Sequence, residues 1–143
     1  MKIVNDILRA KSSGVFTIAP DATVLAAIEI MAEKNIGALL VMENEKLVGI
    51  ITERDYARKV YLAGKTSSNT LVKEIMNQKL LFIQPSTTIE ECMALMIENA
   101  VRYLPVSEEG RVIGVISMGN VVNTIISEQN FVIKNLQQYI MQG

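Results

Sequence analysis

The sequence contains an internal duplication, and any fold of the chain must accommodate both copies. When the chain is aligned with itself so that Val15 lies on Leu80, residues 15–60 match residues 80–125 without a gap, and ten of the 46 pairs are identical. Chance would give about three identities, and most of the remaining apolar positions again carry apolar residues. A shorter match relates residues 4–8 to residues 72–76, so each copy has a lead-in segment. The sequence therefore predicts two copies of one folding unit.

Each copy shows the pattern strand, helix, strand, strand, helix. The first strand covers residues 16–18 or 81–83 and stops before a proline, Pro20 or Pro85, which cannot continue a hydrogen-bonded ladder. An amphipathic helix follows, with apolar residues at i, i+3, i+4 and i+7, namely Val24, Ala27, Ile28 and Met31, repeated by Ile89, Cys92, Met93 and Met96. Thr23 is the expected N-cap of the first of these helices, and Thr88 with Glu91 predicts a capping box in the second.

Two apolar strands, residues 38–42 and 47–51, come next and are joined by a polar hairpin turn that recurs at 108–111 in the second copy. These patterns predict a mixed α/β (α+β) fold. The expected division is a first repeat with its lead-in at 1–64, a loop at 65–71, a second repeat at 72–127, and a C-terminal amphipathic helix at 128–143. This last helix is expected to lie on the domain or on a second subunit. Lys134 is its only clear cation, which disfavours a membrane surface.

Composition removes several classes of function. The net charge of −1 lacks the cationic excess of a general nucleic-acid binder, so nucleic acid is an unlikely partner, and no apolar run approaches the roughly 20 residues that cross a bilayer. The absence of histidine excludes imidazole metal sites and Ser-His or Cys-His nucleophile pairs. The single cysteine, Cys92, fits a core position and a reducing cytoplasm. We therefore expect a cytoplasmic protein without metal or catalysis.

The best candidate for a functional site is the stretch 49–55, where a buried strand meets a helix. Thr52 stands at the N-cap position and Asp55 three residues later. One interpretation is a nucleotide site, because a helix start favours phosphate and a carboxylate can accept hydrogen bonds from a ribose diol. The other is a capping box that stabilises the helix and binds nothing. The second copy retains the hydroxyl as Ser117 and replaces the carboxylate by Asn120.

With these motifs, the chain resembles a tandem pair of CBS domains, the arrangement called a Bateman module. The resemblance covers nearly the full length. It rests on the signature Gly-apolar-apolar-Thr/Ser-x-x-Asp at 49–55, its counterpart at 114–120, residues 20–24 with Met31, residues 101–106, and Val-x-Glu-Ile-Met at 72–76. Residues 51–60 look like small stand-alone members of the family. The resemblance implies two repeats packed sheet to sheet about a pseudo-twofold axis, two clefts for adenine nucleotides, and a homodimer.

The resemblance also implies a role for individual residues of the first cleft. By analogy, Asp55 holds the ribose hydroxyls, Thr52 holds the ribose or phosphate, and Arg54 and Arg102 are candidate phosphate partners. Adenine is expected between the approach to the first strand and the start of the second, at Val15, Thr17, Ile36, Gly37 and Ala38. For Arg102 an inter-repeat salt bridge remains an alternative, and for Arg54 a solvated position on the helix.

The second cleft departs from the family pattern. Its expected residues are Leu81, Val101, Tyr103, Ser117 and Asn120. Asn120 lacks the negative charge and one acceptor oxygen of an aspartate, so we expect this cleft to bind ribose weakly, to take another ligand, or to stay empty. The Thr52/Asp55 cleft is therefore predicted to be the stronger site.

Three functions are compatible with these features. The first is a regulatory module that binds AMP, ATP or NAD(H) and signals to an unidentified protein through changed packing, with no required cofactor. The second is a ligand-independent dimerisation or interaction module with vestigial clefts. The third, an enzyme acting on a nucleotide, needs a base near the phosphates, and the sequence offers only Glu53 there.

Overall fold

The computed structural model describes residues 2–11 and 14–142 and has the mixed α/β fold that the sequence predicts. Its helices are α1 (Val4–Ala10), α2 (Val24–Lys34), α3 (Glu53–Tyr56), α4 (Val72–Ile75), α5 (Ile89–Asn99) and α6 (Met118–Gln142). Its strands are β1 (Thr17–Ile18), β2 (Ala38–Glu43), β3 (Lys46–Thr52), β4 (Tyr103–Glu108) and β5 (Arg111–Ser117). A π-helical turn, Ala57–Tyr61, follows α3, and a 3₁₀ turn, Ser67–Asn69, precedes α4.

The alignment between the two copies holds for secondary structure as well as for sequence. It relates α2 to α5, β2 to β4 and β3 to β5, residue for residue. Both central helices end on a residue in the left-handed conformation, Asn35 and Ala100, and both hairpins turn through two residues with positive φ (Asn44 and Glu45, then Glu109 and Gly110). Positive φ at both turn positions is the type I′ signature that suits a two-residue hairpin. The predicted duplication is therefore also a duplication of backbone conformation.

The two sheets differ in their first strand. In the first repeat, β1 pairs in parallel with β2, and β2 pairs antiparallel with β3. In the second repeat, β4 pairs antiparallel with β5, and only Ile83 forms a parallel bridge, to Val106. The strand predicted at 81–83 is thus a single bridge. The capping box predicted in α5 is also wrong, because Thr88 Oγ1 accepts the N–H of Glu91 as a simple N-cap without the reciprocal bond.

The chain divides into two compact units that exchange their lead-in segments. One unit comprises Met1–Ser13 and Phe82–Gly143, and the other comprises Gly14–Leu81. The lead-in of the first repeat therefore packs with the second repeat, where the Val4 N–H donates to the Thr87 carbonyl (2.9 Å). The lead-in of the second repeat packs with the first, where the Val72 N–H donates to the Ala22 carbonyl (2.9 Å). The division expected at 1–64 and 72–127 follows the sequence repeats, whereas the compact units do not.

The helix stripes predicted from sequence form the core. In the unit Gly14–Leu81, Val24, Ala27 and Met31 of α2 are buried with Leu39 and Ile51 from the sheet. In the other unit, Ile89, Cys92 and Met96 of α5 are buried, and burial raises the pKa of the Cys92 thiol to about 11. Cys92 is therefore a core residue, as expected, and its thiol stays protonated at neutral pH. Among the described residues, no helix combines the length and the hydropathy needed to span a bilayer.

A glycine in β3 allows the chain after α4 to pack closely against the sheet. A Cβ added at Gly49 would lie 2.6 Å from Met76 Sδ and 3.1 Å from the Asn77 carbonyl oxygen. The latter oxygen accepts the Ile50 N–H at 3.0 Å, and the Asn77 N–H donates back to the Ile50 carbonyl at 2.8 Å. Any side chain at Gly49 therefore pushes against this backbone pairing.

We predict that Gly49→Ala destabilises the protein by about 1–3 kcal/mol, the usual cost of overpacking a close contact. Gly14→Ala is the matched control, because nothing lies within 4 Å of a Cβ built there. It should change the free energy of unfolding by less than about 0.5 kcal/mol. Urea unfolding followed by circular dichroism measures both. Equal stability of Gly49→Ala and wild type would contradict the close approach.

Candidate functional site

The junction between β3 and α3 is closed by reciprocal hydrogen bonds. Thr52 Oγ1 accepts the N–H of Asp55 at 3.1 Å, and Asp55 Oδ2 accepts the N–H of Thr52 at 3.0 Å. The Thr52 hydroxyl also donates to Asp55 Oδ2 at 2.9 Å. The capping-box interpretation of this motif is therefore confirmed. The same atoms also belong to a larger polar cluster, so the capping box does not exclude a second role for the motif.

Asp55 is a buried carboxylate with donors from three other residues. Its exposed fraction is 6%, and no other charged residue in the described part of the chain is buried. Asn77 Nδ2 lies 3.1 Å from each carboxylate oxygen, and Lys59 Nζ lies 3.2 Å from Oδ1. Lys59 Nζ also donates to the Ile75 carbonyl at 2.9 Å. These donors compensate the cost of removing a negative charge from water.

Asn77 and Lys59 belong to the polar cluster around Asp55, and neither was predicted from the sequence as a candidate. Asn77 directly follows the lead-in match 72–76, and its backbone pairs with Ile50 of β3. Its side chain can reach Asp55 only because the second lead-in packs with the first repeat. The sequence shows that Asn77 directly follows a repeated segment. It does not show that the two lead-in segments are exchanged, and this exchange places Asn77 beside Asp55.

Several residues predicted to surround adenine lie at one end of the first sheet. Ala38 pairs with Thr52 across β2 and β3, and the Gly37 carbonyl accepts the Glu53 N–H at 3.1 Å. Thr17 pairs with Leu40 in the parallel ladder, two residues along β2 from Ala38. Because side chains alternate along a strand, Thr17, Ala38 and Thr52 share one face of the sheet, opposite the face that carries Leu39 and Ile51.

The remaining residues predicted for the first cleft lie just before β1 or β2, in α3, or in the other compact unit. Val15 precedes β1 and is exposed, and Ile36 precedes β2 and is half-buried. Arg54 lies in the first turn of α3 and is exposed. Arg102 is also exposed and belongs to the other compact unit, where its carbonyl accepts the N–H of Met118 at 2.8 Å.

The corresponding junction of the second repeat is capped but has no carboxylate. Ser117 Oγ accepts the N–H of Asn120, and Asn120 Oδ1 accepts the N–H of Ser117, both at 3.0 Å. Tyr103 pairs with Ser117 across β4 and β5, and Val101 precedes β4. The fifth residue predicted for this cleft, Leu81, is the last residue of the other compact unit.

A cleft of about 280 Å³ lies beside Asn120. It is lined by residues of α6 and by residues in and beside α1, namely Lys2, Asp6, Ile7, Ala10, Lys11, Asn120, Asn123 and Thr124. Lys11 Nζ donates to the Val115 carbonyl at 2.9 Å, and burial lowers the pKa of Lys11. Val115 corresponds to Ile50 in the repeat, whose carbonyl is bound by the Asn77 N–H. The two junctions thus have the same backbone conformation, but the equivalent strand carbonyls have different donors. A backbone N–H binds the Ile50 carbonyl, and a lysine side chain binds the Val115 carbonyl.

Comparison with known proteins agrees with this architecture of two repeats, each built from a short sheet and flanking helices. The family model for the CBS domain matches the chain twice, at residues 4–61 and 72–127. The chain belongs to the CBS-domain family. It therefore carries two CBS domains in tandem, and the resemblance drawn from its motifs is confirmed.

Known structures and sequences of this family cover most of the chain. A putative signal-transduction protein with CBS domains from Burkholderia ambifaria has a TM-score of 0.85 and 46% identity, over 90% of this chain and 96% of that one. The crystal structure of the CBS domain NE2398 has a TM-score of 0.82 and 49% identity, over 87% and 98%. The mitochondrial CBS domain-containing protein CBSX3 of Arabidopsis thaliana is 35% identical over 98% of this chain and 72% of its own length.

We predict unequal changes in stability when each junction receives the other's residue. Asp55→Asn should lower the free energy of unfolding by about 1–3 kcal/mol, because an amide nitrogen then faces the donors of Thr52, Asn77 or Lys59. The matched change Asn120→Asp should alter stability by less than about 1 kcal/mol, because a carboxylate is favourable in the first turn of a helix. Chemical denaturation of both variants measures the difference. Equal losses would show that the Asp55 cluster contributes no more than its counterpart.

Proposed function

We propose that this chain is a non-catalytic regulatory module that binds an adenine nucleotide at the Thr52/Asp55 junction and signals to a partner protein through changed packing. The observation that carries the proposal is the buried Asp55 carboxylate, held by donors that a ligand can replace. Asn77 is exposed, and the side chain of Lys59 is 44% exposed, so each can exchange its bond to Asp55 for one to water. The vicinal hydroxyls of a ribose supply two donors for the same carboxylate oxygens.

The surroundings of Asp55 suit the other parts of a nucleotide. Ala38 and Thr17 provide an apolar and a small polar surface on the face that carries Thr52, appropriate for a purine ring. Arg54 in the first turn of α3 is the phosphate partner in this proposal, because guanidinium pairs bidentately with phosphate oxygens, and Arg102 stays a prediction from the resemblance. The relative from Burkholderia ambifaria, described as a putative signal-transduction protein, supports a regulatory role.

Asn77 offers a physical route from ligand to response. If the ribose replaces its amide at Asp55, the side chain of Asn77 loses both of its 3.1 Å bonds, while its backbone remains paired with Ile50. Asn77 directly follows the lead-in of the second repeat, so a change there acts on the segment that joins the repeats. A ligand shifts this equilibrium only by its difference in affinity for the two arrangements.

Calorimetric titration tests the binding step. We expect one of AMP, ATP, NADH and S-adenosylmethionine to bind the wild type saturably, and Asp55→Asn to weaken that binding about 10- to 100-fold, the range for loss of hydrogen bonds to a charged group. Asn120→Ala is the matched control in the second repeat and should retain wild-type affinity. Chromatography of the titrated mixture should recover the nucleotide unchanged, because no catalysis is proposed.

Two outcomes would contradict the proposal. Equal affinity of Asp55→Asn and wild type, with loss of binding in Asn120→Ala, would move the site to the second repeat. Failure of all four ligands to bind folded protein free of nucleotide would favour the second candidate function, a ligand-independent interaction module. The observation that favours this alternative is the closed capping box at Thr52 and Asp55, whose oxygens already have protein donors.

A further inference from the structure

The C-terminal half of α6 is a long helix whose side chains are exposed. The helix begins at Met118, and Val121 in its first turns is fully buried. From Gln129 to Met141 every side chain is exposed, including those of Phe131, Leu136 and Ile140, of which Ile140 is 74% exposed. The segment therefore extends a single helix of more than three turns beyond the part that packs on its own unit.

Burial of its apolar side chains would stabilise this extension. The segment continues a 25-residue helix that is already nucleated on its own unit, so the helix itself does not require a partner. It is, however, rich in β-branched, aromatic and Asn residues, which are weaker helix formers than Ala, Leu or Lys. Its exposed apolar side chains therefore gain most from a surface that covers them.

The apolar side chains follow a heptad pattern. Ile126, Ile133 and Ile140 recur at one position of the heptad, and Val122, Gln129 and Leu136 recur at a second position. The two series interleave at alternating steps of four and three, which is the a and d pattern of a coiled coil. Ile at the a positions with Leu136 at d matches the combination that favours two parallel strands, whereas Val122 and Gln129 at the other d positions depart from it.

The charges of the segment do not oppose its pairing with a copy of itself. Its charged residues between Ile126 and Met141 are Glu128 and Lys134, which fall at positions c and b, outside the contact positions of the heptad. The flanking e positions carry Asn130 and Gln137. Identical helices therefore meet without like-charge repulsion, and no e or g charge selects a different partner.

Gln129 determines the direction and register of the pairing. In a parallel, in-register pair its d position faces the same glutamine of the second copy, and the two amides can satisfy each other as donor and acceptor. In an antiparallel pair the amide would face apolar side chains and lose hydrogen bonds to water, which is costly. A single polar residue in the seam commonly specifies register in this way.

The available surface is sufficient for a weak specific dimer. The a and d side chains that are partly exposed offer on the order of 100 Å² of accessible surface each. These residues are Val122, Ile126, Ile133, Leu136 and Ile140. Over two subunits they offer about 1,000 Å², the lower bound for a specific interface. Ile125, Val132 and Tyr139 at the neighbouring g positions add to this surface. We propose that the segment from Val122 to Ile140 pairs, parallel and in register, with the same segment of a second copy of this chain.

Light scattering coupled to size-exclusion chromatography of the full chain tests the pairing. The wild type should elute at the mass of two copies, and Leu136→Lys at the mass of one, because burying an unpaired ammonium group at a d position is costly. Phe131→Lys is the matched control, since Phe131 is also exposed and apolar but lies at position f, away from the seam. It should remain dimeric. A monomeric wild type, or a Leu136→Lys variant of wild-type mass, would overturn the proposal.

Cross-linking tests the direction of the pair. The native Cys92 is buried, so a cysteine introduced on α6 is the accessible thiol. Under mild oxidation Leu136→Cys should form an intermolecular disulfide at least tenfold faster than Phe131→Cys, because d positions of a parallel pair face each other. Equal rates would overturn the parallel register. Monomeric wild type that sediments with vesicles of anionic lipid would overturn the pairing and assign the segment to a membrane surface instead.

Discussion

The buried carboxylate of Asp55 is the group on which the organisation of the first repeat depends. A negative charge with 6% exposure is tolerated only if it is paired and hydrogen-bonded, and its donors come from three separate stretches of the chain. Thr52 ends β3, Lys59 lies in the π-helical turn after α3, and Asn77 follows α4. One side chain therefore ties together the sheet, the helix that follows it and the lead-in of the second repeat. π-helical turns are frequent at functional sites, and this one carries a residue of the cluster.

The second repeat has the same backbone conformation as the first, but its junction carries different side chains. Ser117 and Asn120 form the same reciprocal cap, but a neutral amide does not require the charged partner that Asp55 has in Lys59. Thr124, at the position that corresponds to Lys59, instead donates its hydroxyl to the Asn120 carbonyl at 2.8 Å. Lys11 reaches the Val115 carbonyl, where the first repeat uses the backbone of Asn77. The same fold thus carries a lysine-paired carboxylate at the junction of one unit and a neutral amide at the junction of the other.

The sequence predicted local features well and long-range ones poorly. Helix stripes, hairpins and the caps at Thr23 and Thr52 depend on residues a few positions apart, and all are present in the structure. The self-alignment predicted the paired elements because both copies must bury the same apolar pattern. The exchange of lead-in segments was missed, since it depends on contacts between distant stretches, and Asn77 was missed with it. The tail was predicted to be an amphipathic helix, but the exposure of residues 129–141 became visible only when the helix could be placed against its unit.

We propose that this protein recognises a nucleotide at the Thr52/Asp55 junction and not at its counterpart in the second repeat. Nuclear magnetic resonance of the ¹⁵N-labelled chain, titrated with the nucleotide found by calorimetry, distinguishes the two junctions. We expect saturable shifts of the backbone amides of Thr52, Glu53 and Asp55 and of the side-chain amide of Asn77, with Ser117 and Asn120 unchanged. Shifts confined to Ser117 and Asn120, or no shift at the first junction at saturating ligand, would rule out the proposed site.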